Sequence, residues 1–347
     1  MQEGRPLDNR TNRRSGRVTI QDVARAAGVA VSTVSRVLNG SDYTSEATRE
    51  KVLAAAQRLN FKANPSARGL RSSRTHTIGV LLSDLANPIY TDFLRGAEHA
   101  AEARGYELLI ADGQNSREVQ ARMLQNLYER RIDALILRGP IMATDSLGGF
   151  IDEGVPIYPP LGEDWAQRNL EDPRDETAAN RAAFGHLVSL GHRRICFVSR
   201  GRNPQMSERF GALQSALREA GADPSTAVLS IVRDGDQCSG LVERLCHGPE
   251  APTAYIAGVH LMAPYLLAAI RDCGLRIPGD VSFICFGDSP WAFAYNPPIS
   301  VVRFDYYEAG ATAVNAVLDT LCGMPAAALR RLPAEFIDRG SCGPAPR

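Results

Sequence analysis

Between residues 31 and 39, small hydroxyl side chains and one arginine occupy a segment with helical periodicity. The polar residues of this segment share one face of the predicted helix: Ser32, Ser35, Arg36 and Asn39. The apolar residues Val34, Val37 and Leu38 share the opposite face. Short side chains allow a helix to approach a surface closely, and an arginine can donate two hydrogen bonds to a guanine edge. The chemistry predicted for this face is recognition of base edges in a major groove.

Two further short helices are predicted to hold this segment in place. One covers about residues 20–27, with Thr19 as its N-cap and Gly28 at its end, and the other runs to about residue 59 after the N-cap Ser45. Three short helices within some 42 residues favour a tri-helical DNA-binding unit. The alternative is a small helical subdomain whose polar face is merely solvated.

The charge of the chain is divided unevenly. The 347 residues contain 39 Lys+Arg and 39 Asp+Glu, which gives a formal net charge of zero. Through Thr77 there are 14 Lys+Arg and 6 Asp+Glu, a balance of +8, and the remaining residues carry a balance of −8. This asymmetry favours a polyanion-binding head on an acidic body, although a solvated basic tail would have the same charge.

The head resembles that of the lactose/galactose-repressor (LacI/GalR) family of bacterial transcription regulators. The resemblance is carried, in order, by VTIQDVARAAGV at 18–29, STVSRVLNG at 32–40 and SEATREKV at 45–52. It implies base-edge contacts from Val31, Ser32 and Arg36. It also implies phosphate contacts from four further residues: Thr19, Thr33, Ser35 and Asn39. One departure is Ala30, where the family usually has a serine that caps the recognition helix.

A linker follows the head at residues 64–76. Asn64 and Pro65 are suited to the start of a helix, but the segment is too short to be helical alone in water. It resembles the hinge helix of the same family. In that hinge Leu70 would be the wedge inserted at a minor-groove base step, flanked by Arg68 and Arg71. The alternative is a plain basic linker.

The body, residues 77–340, alternates short β-rich runs with helical ones. One series of strands begins near residues 78, 106, 133 and 155, and a second begins near 194, 227, 253 and 281. Helices are predicted between them, for example at 89–104, 117–130, 208–220 and 261–273. Two βα series of this kind predict two doubly wound parallel sheets, with a ligand at the carboxyl ends of the strands, in the cleft between the lobes.

The body resembles the periplasmic-binding-protein-like sensor domain of the same family. The matching stretches include Asn87-Pro88, LGHRRI at 190–195 and GLRIPGDVS at 274–282. The resemblance implies a homodimer on a pseudo-palindromic operator, and a small-molecule effector that shifts the lobes and the hinges. Six residues are expected to bind the effector: Ile89, Tyr90, Phe93, Arg209, His260 and Asp288.

The predicted pocket departs from the family pattern at several positions. Val259-His260 replaces the usual Asn-Asp, Gly287 replaces the first Asp before Asp288, and an aromatic is missing near Gly235. These changes remove acceptors for neutral sugar hydroxyls, while Arg209 and His260 could supply positive charge. One hypothesis is therefore an anionic effector, such as a sugar acid or a phosphorylated metabolite. The alternative is that His260 only caps its helix and that the pocket is degenerate or takes another ligand.

Other classes of protein find little support in the sequence. It contains no G-x-G-x-x-G after the first strand, no Walker loop, no G-x-S-x-G and no C-x-x-C. We therefore expect no catalytic residue, cofactor or metal site. His192 is expected to make a contact in a loop or at a helix end, and His186 to be structural or solvated. The competing class is an α/β enzyme of sugar metabolism with an accessory DNA-binding head. The ends of the chain are predicted to be a basic, disordered arm at 1–17 and a tail at 341–347. The arm lacks the apolar core of a signal peptide, and the cysteines are scattered. We therefore expect a cytoplasmic protein without membrane contact.

Overall fold

A computed structural model describes residues 18–38, 44–59, 61, 74–159, 174–201, 204–324 and 331–346. The predicted arm at 1–17 and four predicted DNA-contacting residues lie outside these ranges: Asn39, Arg68, Leu70 and Arg71. The contacts divide the chain into two compact units, Met1–Thr75 and His76–Arg347. Each unit is described by itself.

The first unit contains three helices. They are α1 (Ile20–Ala27), α2 (Val31–Leu38) and α3 (Glu46–Arg58). Their inner faces meet in a small core that includes Val23, Val34, Val37 and Val52. All three predicted helices are present, and the bounds agree to within one residue.

The ends of α1 follow from local hydrogen bonding. Thr19 and Asp22 form a capping box, in which the Asp22 amide donates to Thr19 Oγ1 at 3.4 Å and the Thr19 amide donates to Asp22 Oδ2 at 3.0 Å. Gly28 ends α1 in the left-handed region, with φ of 65°. Ser45 precedes α3 as predicted, but its side chain makes no cap bond and instead lies 2.9 Å from the hydroxyl of Thr48.

The first lobe of the body is built on a parallel sheet. Its strands, in the spatial order β2-β1-β3-β4, are β1 (Thr77–Leu82), β2 (Glu107–Asp112), β3 (Ala134–Arg138) and β4 (Ile157–Tyr158). Its helices are α4 (Ile89–Ala103), α5 (Arg117–Glu129) and the short α6 (Gly148–Asp152). Leu82 pairs with both Asp112 and Arg138, so the carboxyl ends of the three longer strands lie level at one edge.

The second lobe is built on a larger sheet. Its strands are β5 (Arg174–Asp175), β6 (Ile195–Ser199), β7 (Ala227–Ile231), β8 (Ala254–Ala257), β9 (Ser282–Phe286), β10 (Ser300–Phe304) and β11 (Leu332–Ile337). The spatial order is β5-β11-β10-β9-β8-β6-β7. Its helices include α7 (Thr177–Ser189), α8 (Pro204–Glu219), α9 (Gly235–Leu245), α10 (Ala263–Asp272) and α11 (Pro290–Ala294).

The predicted fold class, a helical head and a two-lobed α/β body, is confirmed. Strands β6 to β10 are parallel to one another, but β11 runs antiparallel to β10 and parallel to β5. This reversed pair is absent from the sequence prediction. Helix α8 also begins at Pro204, four residues before the predicted start.

The last helix, α12 (Tyr306–Leu321), leaves the second sheet and packs on α4 of the first lobe. The two helices approach closely at two glycines: a Cβ on Gly96 would overlap the Tyr307 carbonyl, and one on Gly310 would overlap the Phe93 carbonyl. A continuous core passes between the lobes along this contact. The crossover after β10 therefore ties the two sheets together.

The predicted boundary of the body at residue 340 is wrong. Ser341 is fully buried and donates to the carbonyl of Phe283 at 2.6 Å, while the Gly343 carbonyl lies 3.0 Å from His192 Nε2. The amide of Ala345 donates to Leu190. Residues 341–345 are thus part of the second lobe, since their backbone satisfies polar groups at the rim of its sheet.

Candidate DNA-binding and effector-binding sites

The predicted recognition face is formed by α2. Ser32 and Arg36 are exposed on one side of the helix, because they are four residues apart, and Val31, next to Ser32, is 43% exposed. Thr33 and Ser35 are half-buried on its flanks. The opposite face, with Val34 and Val37, is anchored in the core of the head. The arrangement holds a short arginine-bearing face outward on a rigid helix.

Thr19 serves first as the start of α1. Its hydroxyl donates to Asp22 Oδ2 at 2.6 Å, and this bond lowers the pKa of Asp22. Thr19 is exposed, so a phosphate at this helix start would have to compete with Asp22 for the hydroxyl proton.

At α2, the Ala30 carbonyl accepts from the amides of Thr33 and Val34, which places Ala30 at the capping position. It has no hydroxyl with which to cap the helix.

In the body, α4 supplies the apolar wall predicted for the effector site. Tyr90 and Phe93 are buried and Ile89 is half-buried. The hydroxyl of Tyr90 lies 3.0 Å from the hydroxyl of Ser83, which follows β1. Burial raises the pKa of Tyr90, so this phenol remains protonated.

Arg209 is buried in an ion pair. Its Nε and Nη2 donate to the two carboxylate oxygens of Glu176 at 2.6 and 2.5 Å, and its Nη1 donates to the Gly258 carbonyl at 2.7 Å. The guanidinium also stacks on the ring of Phe286, with 4.1 Å to the centroid. The charge of Arg209 is therefore compensated, and this side chain fixes the start of α7 to β8 and α8.

The expectation that His260 supplies a positive charge is wrong. His260 is 3% exposed, and burial lowers its pKa to about 4, so it is neutral near pH 7. Its side chain caps no helix, and its Nε2 has no hydrogen-bond partner within the described residues. It packs against the backbone of Gly287. With Arg209 paired and His260 neutral, neither residue supports the hypothesis of an anionic effector.

Asp288 is also paired. Its two oxygens accept from Nη1 and Nη2 of Arg339 at 2.8 and 2.6 Å. This bidentate pair links the end of β9 to the segment after β11. Asp288 lies at the carboxyl edge of its sheet as predicted, but its carboxylate is held by a partner that the sequence analysis did not name.

The structure adds charged groups near the predicted pocket. Arg138 ends β3, Arg174 lies in β5 and Glu176 precedes α7. A signal for Arg138 exists in the sequence, since a charged residue directly ends the apolar run Ala-Leu-Ile-Leu. Glu176 and Arg174 follow a stretch without strand periodicity and offer no such signal.

Two histidines in the second lobe have structural surroundings. His192 is buried between Thr253, Ser282 and Gly343, and desolvation lowers its pKa. His186, Asp338 and Cys342 bring potential metal-ligand atoms within 4.8 Å of one another, a grouping that the sequence did not predict. Burial raises the pKa of Cys342 to about 12, which disfavours the thiolate that a metal requires. Within the described residues, no helix is long and apolar enough to span a membrane.

A helical head with an exposed recognition face and a body of two α/β lobes define a class of DNA-binding regulators with a ligand-sensing domain. Comparisons with known proteins agree with this class. A profile of bacterial regulatory proteins of the lacI family matches residues 19–64, and a profile of a periplasmic binding protein-like domain matches residues 184–342.

Individual proteins match over most of the chain. The HTH-type transcriptional repressor PurR of Photobacterium profundum is 30% identical over 309 residues, which cover 87% of this chain and 91% of that protein. The transcriptional regulator CelR in complex with cellobiose is 28% identical with a TM-score of 0.66, covering 94% of this chain and 100% of that chain. A Lac repressor dimer bound to operator and an anti-inducer shares the fold, with a TM-score of 0.80 at 24% identity and the same coverage.

The chain belongs to the lacI family of bacterial regulatory proteins. It is a transcription regulator that binds DNA through its helix-turn-helix head and carries an effector-binding body. These relatives are transcriptional regulators. They give no support to the competing interpretation of the chain as an enzyme of sugar metabolism.

Proposed function

We propose that the protein is a homodimeric repressor that binds a pseudo-palindromic operator and responds to a small molecule held between its lobes. The observation that carries the proposal is the outward face of α2, where Val31, Ser32 and Arg36 are exposed together on a helix fixed by the core of the head. A helix fits the major groove, and two copies related by a two-fold axis read two half-sites. Such a regulator works on the chromosome, in the bacterial cytoplasm.

The contacts follow the roles that the family resemblance implies. Val31, Ser32 and Arg36 read bases, while Thr19, Thr33, Ser35 and Asn39 contact phosphates. Leu70, flanked by Arg68 and Arg71, enters a minor-groove step and bends the duplex. The polar contacts to phosphate position the head, and those of α2 to base edges specify the sequence.

The effector is proposed to lie at the carboxyl edges of the two sheets, where ligands of doubly wound folds bind. Ile89, Tyr90 and Phe93 form its apolar wall, and Arg209, His260 and Asp288 lie on the side of the second lobe. The PurR and CelR relatives are named as a transcriptional repressor and as a regulator bound to cellobiose. An effector that binds the two lobe arrangements with unequal affinity must change the affinity for the operator. The operator must then change the affinity for the effector by the same factor.

Selection from a pool of randomised DNA duplexes tests this function. The full-length protein is expected to enrich one motif with two similar half-sites about one helical turn apart or a multiple of it. Its affinity for that motif should fall steeply with added salt, since the basic residues release counterions from phosphates. Enrichment of no motif at low or moderate salt would overturn the proposed function.

A further inference from the structure

Arg138 is a buried cation at the carboxyl edge of the first sheet. It is the last residue of β3 and is 8% exposed. Its guanidinium carbon lies 5.4 Å from the ring centroid of Phe93 and 5.6 Å from that of Tyr306. Among residues the structure describes, no carboxylate oxygen lies within 4.0 Å of its nitrogens. Two aromatic rings stabilise the guanidinium in part, but they do not neutralise it.

Two hydroxyl groups lie beside Gly139, the residue that follows Arg138. Gly139 follows it with φ of 88°, and a Cβ at this position would overlap the hydroxyls of Ser83 and Tyr90. These two hydroxyls are 3.0 Å apart. Gly139 therefore leaves the two hydroxyls unobstructed on its side, and the charge of Arg138 acts on the Tyr90 hydroxyl.

The carboxylate of Glu176 is already paired with other arginines. Both oxygens of Glu176 accept from Arg209, and Arg174 Nη1 lies 3.9 Å from the Glu176 Oε1 oxygen. The charges of Arg138 and Arg174 both act on the Tyr90 hydroxyl, so the two arginines contribute positive potential to the same place. Glu176 is thus shared by Arg209 and Arg174.

A buried cation without an opposite charge destabilises a folded protein, and such groups in clefts are typical of ligand sites. Arg138 also lies at the strand ends where ligands bind in this fold. An arginine carries five N–H donors in a plane that matches the oxygens of a carboxylate or a phosphate.

We propose that Arg138 binds the anionic group of the effector, with the hydroxyls of Ser83 and Tyr90 as further donors. This inference rests on the proposed effector site between the lobes and names its ligand class. The effector is a small organic anion, a hydroxylated carboxylate or phosphate ester. Its charge is recognised by the first lobe and not by Arg209 or His260.

The test compares matched ligands on the full-length protein by calorimetry and thermal unfolding. The panel contains neutral aldoses, the corresponding aldonic and uronic acids, the corresponding sugar phosphates, and inorganic phosphate. Wild type is expected to bind at least one acid or phosphate ester at least about tenfold more tightly than its neutral counterpart. The substitution Arg138→Met should weaken that binding about 10- to 100-fold, the range for a charge-assisted hydrogen bond. Arg138→Lys, which keeps the charge, should retain part of the affinity.

Arg122→Met is the matched control, because Arg122 is an exposed arginine on α5 of the same lobe. It should bind the preferred anion as wild type does. The acid and phosphate arms distinguish the two sources of the anionic group. If no anion in the panel is preferred over its neutral counterpart, or if Arg138→Met binds as tightly as wild type, the proposal is overturned. Operator binding by wild type without ligand is measured in parallel, so that a failure of the proposed function is recognised separately.

Discussion

At the scale of single residues, the body holds several charged side chains in ion pairs and one histidine in its neutral form. Arg209 and Asp288 are held in bidentate ion pairs, with Glu176 and Arg339 respectively. His260 is buried and neutral, because burial lowers its pKa to about 4. Each pair joins segments that are distant in sequence, and removing Glu176 would leave the buried charge of Arg209 uncompensated.

The neutral state of His260 predicts a pH dependence of stability. Below about pH 6.5 the unfolded chain binds a proton at this residue, whereas the folded chain does so only near pH 4. Stability therefore falls as the pH is lowered through this window. Between about pH 7.5 and pH 5, His260 should account for a loss of about 2 kcal/mol in the free energy of unfolding.

Urea unfolding of His260→Gln at the two pH values measures this contribution. The variant should lose about 2 kcal/mol less than wild type on acidification. His247→Gln is the control, since His247 is exposed in the same lobe. A loss on acidification as large in His260→Gln as in wild type would contradict a buried neutral imidazole.

The residues of the head were predictable from sequence, and those of the cleft only in part. Val31, Ser32 and Arg36 lie on one helix, so helical spacing alone brings them to one face. Arg138 is different, because the rings that enclose it belong to Phe93 and Tyr306, which are far away along the chain. Likewise the partner of Arg209 is Glu176, at the start of another helix. Such pairings depend on how the chain crosses between the lobes.

At the scale of elements, α4 and α12 pack closely against each other. Gly96 and Gly310 permit it, since a side chain at either position would overlap the backbone of the other helix. The same contact brings the rings of Tyr306 and Phe93 close to the guanidinium of Arg138. The proposed anion site therefore depends on this packing.

Gly310→Ala tests the contact. The added methyl group meets the Phe93 carbonyl, so the free energy of unfolding should fall by about 1–3 kcal/mol. Gly185→Ala is the matched control, because no atom lies within 4 Å of a Cβ at this position in α7. It should leave stability unchanged or raise it by up to about 1 kcal/mol through helix propensity. Equal stability of the two variants in thermal unfolding would refute the close contact.

The elements differ in how well periodicity predicts them. Helices α1 to α3 have apolar residues at helical spacing, and strands β1, β3, β6, β8 and β9 are short apolar runs that are buried almost throughout. Strands β5, β10 and β11 were not predicted. β5 has two residues, and β11 is held by an antiparallel pairing with β10 that no local pattern specifies. Tertiary contacts determine where such strands begin and end, so the local sequence does not predict their bounds.

At the scale of the whole molecule, the zero net charge conceals two specialised parts. The excess of +8 belongs to the first 77 residues and the deficit of −8 to the rest. The head can therefore attract the phosphate backbone while the acidic body adds nothing to that attraction. The central claim is that specificity within this attraction comes from the outward face of α2.

The most direct test measures the affinity of Arg36→Ala for the selected operator and for every single-base variant of one half-site. Arg271→Ala, an exposed arginine on α10 of the body, is the control. Arg36→Ala is predicted to lose about 1–3 kcal/mol on the operator and to relax the preference at one base pair, while Arg271→Ala binds as wild type. Equal weakening of Arg36→Ala on all sequences, with every base preference retained, would contradict the role of α2 as the reader of sequence.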